Sequence, residues 1–153
     1  MKNNNSCSVE ERQRRMSVLA RASYKDMLTL WNENPIELEY SVIREPEIGM
    51  VQIRGKMGNV GDRFNVGDAT ITRASVLLET GEIGHCYMLG RNIKQALLAS
   101  RIDAVMQVKE YKDILNIQII YPLEDIYKTI KQKQKKEVQT SKVDFFTLER
   151  GED

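Results

Sequence analysis

A chain of 153 residues, 41% hydrophobic and 29% charged, is long enough to bury one sizeable core and too short to divide comfortably into two domains. Lys and Arg total 23 against 22 for Asp and Glu, so the summed charge excludes a general attraction to nucleic acid, anionic membranes or acidic substrates. The opening MKNNNSC lacks the apolar stretch of a secretory signal or of a lipoprotein anchor at Cys7, and nowhere do ~18 apolar residues run together, so a cytoplasmic protein is expected.

Residues 1–8 read as a polar tail. Ser8 with Glu11 forms a capping-box pattern, and Val9, Arg12, Met16, Leu19 and Ala20 at helical spacing predict a first helix over 9–22. A second short helix carries Met27, Leu30 and Trp31 on one face and stops before Pro35, because proline disfavours helical geometry in the residue ahead of it. From Ile36 the period changes to two. Leu38, Tyr40 and Val42 alternate, then Val51, Ile53, Gly55 and Met57 face one way and Gln52, Arg54 and Lys56 the other, which predicts a half-buried pair of strands.

Thr70 to Glu79 is apolar on both faces and reads as a further strand, and Thr80-Gly81 turns it back into Glu82 to Leu89. The middle of the chain is therefore expected to be an antiparallel meander of about four strands. Asn92 with Gln95 signals a second helix start, followed by a broad apolar stripe from Ile93 to about 109. LNIQIIY from Leu115 is compatible with a strand, and Pro122 suits the first turn of a last helix ending in the basic run KQKQKK. Residues 139–153 read as an extended tail. No linker or repeat divides the chain, so 1–153 is taken as one α+β domain, a meander flanked by N-terminal, central and C-terminal helices.

Few residues offer chemistry. The single histidine, His85, adjoins Cys86 on a predicted strand, where successive side chains point to opposite faces, so the pair is a poor base and nucleophile. Cys7 lies far from Cys86 in sequence; both are read as free thiols, and no ligand spacing suggests a metal. The stretch GKMGNVGDRFNVGD, residues 55–68, is the most unusual. Its glycines, including Gly58 and Gly61, with Asp62, Arg63, Phe64 and the later Arg73, could cradle a phosphate. It joins strand to strand without Gly-Lys-Ser/Thr, however, and a hairpin turn is the preferred reading.

The carboxylate pairs Glu45/Glu47 and Asp62/Asp68 are read as solvated loop charges. The five lysines between Lys128 and Lys136 are read as a solvated helix face, since no aromatics interleave them for nucleic acid. Phe145 and Phe146, side by side in an extended segment, cannot both enter one small core, and one is a candidate to insert into a partner.

Taken together, RQRRMSVLA, EIGMVQIRGKMG, GDRFNVGDATITRA, GRN and SKVDFFTLERGED resemble the PhnG family, the G subunits of carbon-phosphorus lyase core complexes, from about residue 11 to the end. Asn59 and Asn92 stand where relatives tend to have Gly and Asp; asparagine tolerates positive φ and caps helices, so local geometry is preserved. The resemblance implies assembly with H, I and J subunits in phosphonate catabolism, with direct contact most expected to the I subunit. It also implies that the G, H and I subunits, helped by an ABC-type ATPase-like protein, transfer the ribose 5-triphosphate of MgATP to a phosphonate and release adenine. On this reading the chain has no catalytic residues or intrinsic cofactor of its own. The alternative is an independent nucleotide- or phosphonate-binding protein using residues 55–68.

Overall fold

A computed structural model describes residues 9–58 and 61–140. The elements are α1 (Val9–Arg21), α2 (Tyr24–Glu33), β1 (Tyr40–Lys56), β2 (Arg63–Leu78), β3 (Ile83–Leu89), α3 (Ile93–Val105), α4 (Lys109–Leu115), a π-helical turn (Asn116–Ile120) and α5 (Tyr121–Thr140). The arrangement is α+β with an antiparallel sheet, as expected, but the sheet has three strands in the order β1-β2-β3 where about four were predicted. The alternating runs on either side of Glu45 to Gly49 belong to one strand of 17 residues. It passes Pro46 through register shifts at Val42/Arg44 and Arg44/Glu47. Proline lacks a ladder donor and is tolerated at edges and bulges; β1 is an edge strand, and Pro46 sits at such a shift.

Two helices begin on side-chain caps, α3 at Asn92 as expected and α2 at Ser23, which was not singled out from the sequence. Ser23 accepts a hydrogen bond from the Asp26 amide, and Asn92 accepts one from the Gln95 amide at 3.0 Å. Helix α1 carries Glu10 and Glu11 in its first turn and Arg21 in its last, complementing its macrodipole. Ser8, the expected cap, lies outside the described residues.

The core forms where α3 crosses the inner face of the sheet. Ala74, Val76, Leu78, Cys86 and Met88 meet Ala96, Ala99, Ile102 and Val105, while Leu19, Met27, Trp31, Ile119, Ile120 and Leu123 close over the other side of α3. A helix packed between a sheet and other helices needs small residues where backbones approach. At Gly84 a Cβ would lie 1.9 Å from the Ser100 carbonyl oxygen and 2.7 Å from the Ala104 Cβ, so β3 and α3 touch through backbone. Asp103 anchors this crossing: fully buried, it accepts the His85 amide at 3.0 Å and the Arg12 guanidinium at 2.7 Å.

The segment from Leu115, compatible with a strand by sequence, is instead the π-helical turn that links α4 to α5, with the Tyr121 amide donating to the Asn116 carbonyl. Burial explains the change. Leu115, Ile119, Ile120 and Leu123 are buried, a helical spacing, whereas a strand would have grouped Ile117 with Leu115 and Ile119, and Ile117 is exposed. The basic run continues α5 as an exposed helix.

Strands β1 and β2 outrun β3. The last β2–β3 pair is Ile71 with Leu89, and the Gly90 amide reaches the Thr70 carbonyl. From Met50 and Ala69 outward, β1 and β2 pair only with each other, as far as Lys56 and Arg63. Among the described residues, 50–69 thus form a two-stranded arm extending about 20 Å past the end of β3.

Candidate functional site

The glycine stretch 55–68 is the distal part of this arm rather than an open loop. Gly55 pairs with Phe64 and Lys56 with Arg63, leaving a short turn between them. Gly58 has φ +62°, a left-handed conformation that suits glycine, and the Gly61 amide donates to the Met57 carbonyl at 3.0 Å. A Cβ at Gly61 would meet that carbonyl oxygen at 2.2 Å, so the tight closure itself requires glycine there. Asn59 lies outside the described residues.

Pairing places the Arg63 side chain beside Lys56 and the neighbouring Arg54 and Asn65 on the same face, where Arg54 Nε donates to Asn65 Oδ1 at 3.2 Å. Phe64 takes the opposite face, over Gly55, with Val66 packed against the same glycine. The tip is therefore basic on one face and apolar on the other. Asp62 is exposed beside the turn.

Arg73 is not part of this cluster. It stands ten residues along β2 from Arg63, about 33 Å away. Its Nε donates to Glu47 Oε1 at 2.6 Å, with Arg44 at 3.8 Å from the same oxygen. Hydrogen bonds to Tyr87 and then Glu47 raise the pKa of its guanidinium. Glu47 is thus an ion-pair partner on the open face of the sheet, away from the turn. Asp62 and Asp68 are both exposed, and Phe145 and Phe146 lie outside the described residues.

His85 and Cys86 diverge as strand geometry requires. The His85 ring is exposed, with Nδ1 2.8 Å from Ser75 Oγ, while the Cys86 thiol enters the core, where burial first and Asp103 second push its pKa up to about 12. A thiol held protonated in this way is a poor nucleophile. Among the described residues no group of His, Cys, Asp and Glu could hold a metal, and no helix is long and apolar enough to cross a membrane.

Sequence reasoning singled out the stretch at the arm's tip but misjudged its surroundings. Val51, Ile53 and Met57 were expected on a half-buried face; all are exposed, because β3 and α3 end before reaching them. Met50 is 75% exposed, Met57 74% and Phe64 47%, with Val66 and Ile48 exposed as well. Conversely, Ile71, on the second apolar face of β2, is already buried within the chain. The overlooked signal was the apolar content of both faces of 48–57, which exceeds what one covered face can use.

Residues 10–151 match the family of the phosphonate metabolism protein PhnG. The chain is also 36% identical to the alpha-D-ribose 1-methylphosphonate 5-triphosphate synthase subunit PhnG of Rhizobium meliloti (strain 1021), over 155 aligned positions covering 99% of this chain and 97% of that protein.

Proposed function

The chain belongs to the PhnG family of phosphonate metabolism proteins, and from that premise we propose that it works as one subunit of a heteromeric ribose 1-methylphosphonate 5-triphosphate synthase. In this reading it joins H, I and J subunits in the cytoplasm. With the H and I subunits and an ABC-type ATPase-like protein, it supports transfer of the ribose 5-triphosphate of MgATP to a phosphonate with release of adenine. MgATP is a substrate of the assembly, and the chain brings no cofactor of its own. Its contribution is structural: the arm docks into a larger partner, for which the I subunit is the first choice.

The observation that carries this role is the arm's surface. Met50, Val51, Ile53, Met57, Phe64 and Val66 are exposed on a ribbon with little body behind it. Exposed apolar side chains on both faces of a ribbon mark an interaction site, and unpaired strand edges invite a partner's backbone. Gly58 and Gly61 close the tip tightly enough to enter a cleft, with Asp62, Arg63 and Phe64 as its foremost contacts. Arg73, on the open sheet face, is a second contact at the arm's base, and Phe145 and Phe146 are further anchors.

Co-expression with the H, I and J subunits, affinity purification and sizing test the proposal. One stoichiometric particle is expected, and the triple variant Met50→Ser, Phe64→Ser, Val66→Ser should drop out of it while staying folded. Full incorporation of that variant would overturn docking through the arm.

A second reading, an independent nucleotide or phosphonate site at 55–68, is favoured by the shared face of Arg54, Lys56 and Arg63. It predicts that the chain alone binds MgATP and loses that binding in Arg63→Ala.

A further inference from the structure

Helices α1 and α5 lie side by side and run in the same direction, as their paired contacts demonstrate. Arg14 sits over the Tyr121 ring at 5.5 Å, and two turns further along, Arg21 sits over the Tyr127 ring at 5.4 Å. Between them is a groove of about 330 Å³, within the size range of small-ligand sites. Its residues recur at helical spacing on the two facing stripes: Arg14, Ser17, Val18 and Arg21 from α1, and Glu124, Tyr127, Lys128 and Lys131 from α5.

The charge is lopsided. Among the described residues Glu124 is the only carboxylate in the lining, and both of its oxygens are taken by the Arg14 guanidinium at 2.6 Å. That hydrogen bond holds the Glu124 carboxyl below its ordinary pKa, so this pair closes one end of the groove as a neutral unit. Arg21, Lys128 and Lys131 then gather at the other end. Lys128 reaches Asp125 at 3.1 Å, but that pair is solvent-exposed and weakly bound. Arg21 rests on the Tyr127 ring. The C-terminus of α1 is near, yet its dipole amounts to roughly half a negative charge, which three full cations outweigh.

We infer that the α1–α5 groove is an anion site for a compact ligand carrying several phosphate groups, held by Arg21, Lys128 and Lys131 over a floor of Ser17 and Val18. The fork of Arg21 suits bidentate contact to phosphate oxygens, the two lysines add mobile donors, and the Ser17 hydroxyl supplies a neutral one. The enclosed volume and the closed end favour a small polyanion over an extended acidic peptide. This site lies between α1 and α5; Ser17 and Arg21 also border a shallow groove with Val51 at the base of the arm, but the anion site is far from the tip and does not depend on the arm's docking role.

Calorimetric titration of the full chain with inorganic tripolyphosphate at physiological salt tests the inference. Saturable binding is expected, weakened about tenfold or more in Arg21→Ala and in Lys131→Ala. Lys133→Ala elsewhere on α5 should leave it unchanged. Absence of binding, or equal weakening by Lys133→Ala, would overturn the site, the latter by revealing undirected charge attraction. Loss in Arg63→Ala alone would move the anion to the tip and refute the groove.

Within the co-purified complex, lysine acetylation followed by mass spectrometry gives a second readout. Tripolyphosphate should protect Lys128 and Lys131 and not Lys133. Groove variants that bind tripolyphosphate normally but fail to co-purify would make the groove a protein interface and refute the ligand site. Co-purification itself reports on the subunit role, so the two ideas fail separately.

Discussion

The β3–α3 crossing and the β1–β2 arm belong to the same sheet, yet they obey different constraints. At the crossing Gly84 and Asp103 are explained by their neighbours in the chain: Gly84 makes room for the Ser100 carbonyl, and Asp103 satisfies a strand amide and an arginine. On the arm, by contrast, Met50, Met57, Phe64 and Val66 have no comparable explanation inside the chain. The first region is selected for a fold. The second carries apolar surface whose purpose lies outside it, and substitutions in the two regions should therefore have opposite signatures.

The largest effect is expected at Gly84→Ala. The new methyl would collide with backbone from both Ser100 and Ala104, which side-chain rotation cannot relieve. A loss of about 3 kcal/mol is expected in chemical denaturation of the isolated chain. A fall below about 0.5 kcal/mol would mean that α3 can retreat from the sheet, and the contrast between rigid crossing and free arm would weaken.

Asp103→Ala comes next. It removes the acceptor of the His85 amide and leaves Arg12 without its carboxylate. The Arg12 side chain is 31% exposed and can turn to water, so the cost should fall short of a fully buried pair, at about 2 kcal/mol. Asp103→Asn, which can still accept from the amide, should recover part of it. Equal losses in both variants would assign the whole effect to charge.

A smaller effect attends the Arg14–Glu124 pair between α1 and α5. The carboxyl pKa is lowered in the folded chain, so its contribution is present above the unfolded carboxylate pKa and disappears as pH falls through the folded value. Arg14 is largely exposed, and Glu124→Gln should cost under about 1 kcal/mol at neutral pH and nothing in strong acid. Thermal melts at both pH values check this. An unchanged difference between wild type and variant across that range would point to packing rather than charge.

How much of this was readable beforehand divides along the same line. The cap at Asn92, the stop before Pro35, the Thr80-Gly81 turn and the central helix are local features, set by side chains within a few residues, and were legible. The continuity of β1 through Pro46 was not, because whether a proline ends a strand depends on whether that strand is an edge. LNIQII is ambiguous by period, and only the positions of Ile119, Ile120 and Leu123 in the core decide for helix. Tip residues Arg63 and Phe64 were singled out by composition, but their separation from Arg73 required the strand register. The α1–α5 groove was invisible for a plainer reason: its arginines and lysines lie more than a hundred residues apart in sequence.

The smallest expected effect on the isolated chain tests the comparison most directly. Met50→Ser with Met57→Ser removes two of the most exposed apolar side chains on the arm, neither of which fills space in the core. Surface changes of this kind usually shift stability by no more than about 0.5 kcal/mol, and the double variant should unfold at nearly the wild-type denaturant midpoint. If the arm enters a partner, the same two changes should weaken co-purification strongly, because truncating a central interface anchor costs about 2 kcal/mol or more. A marked loss of stability in the isolated chain would mean that the arm folds onto its own body, and its apolar surface would then need no partner to account for it.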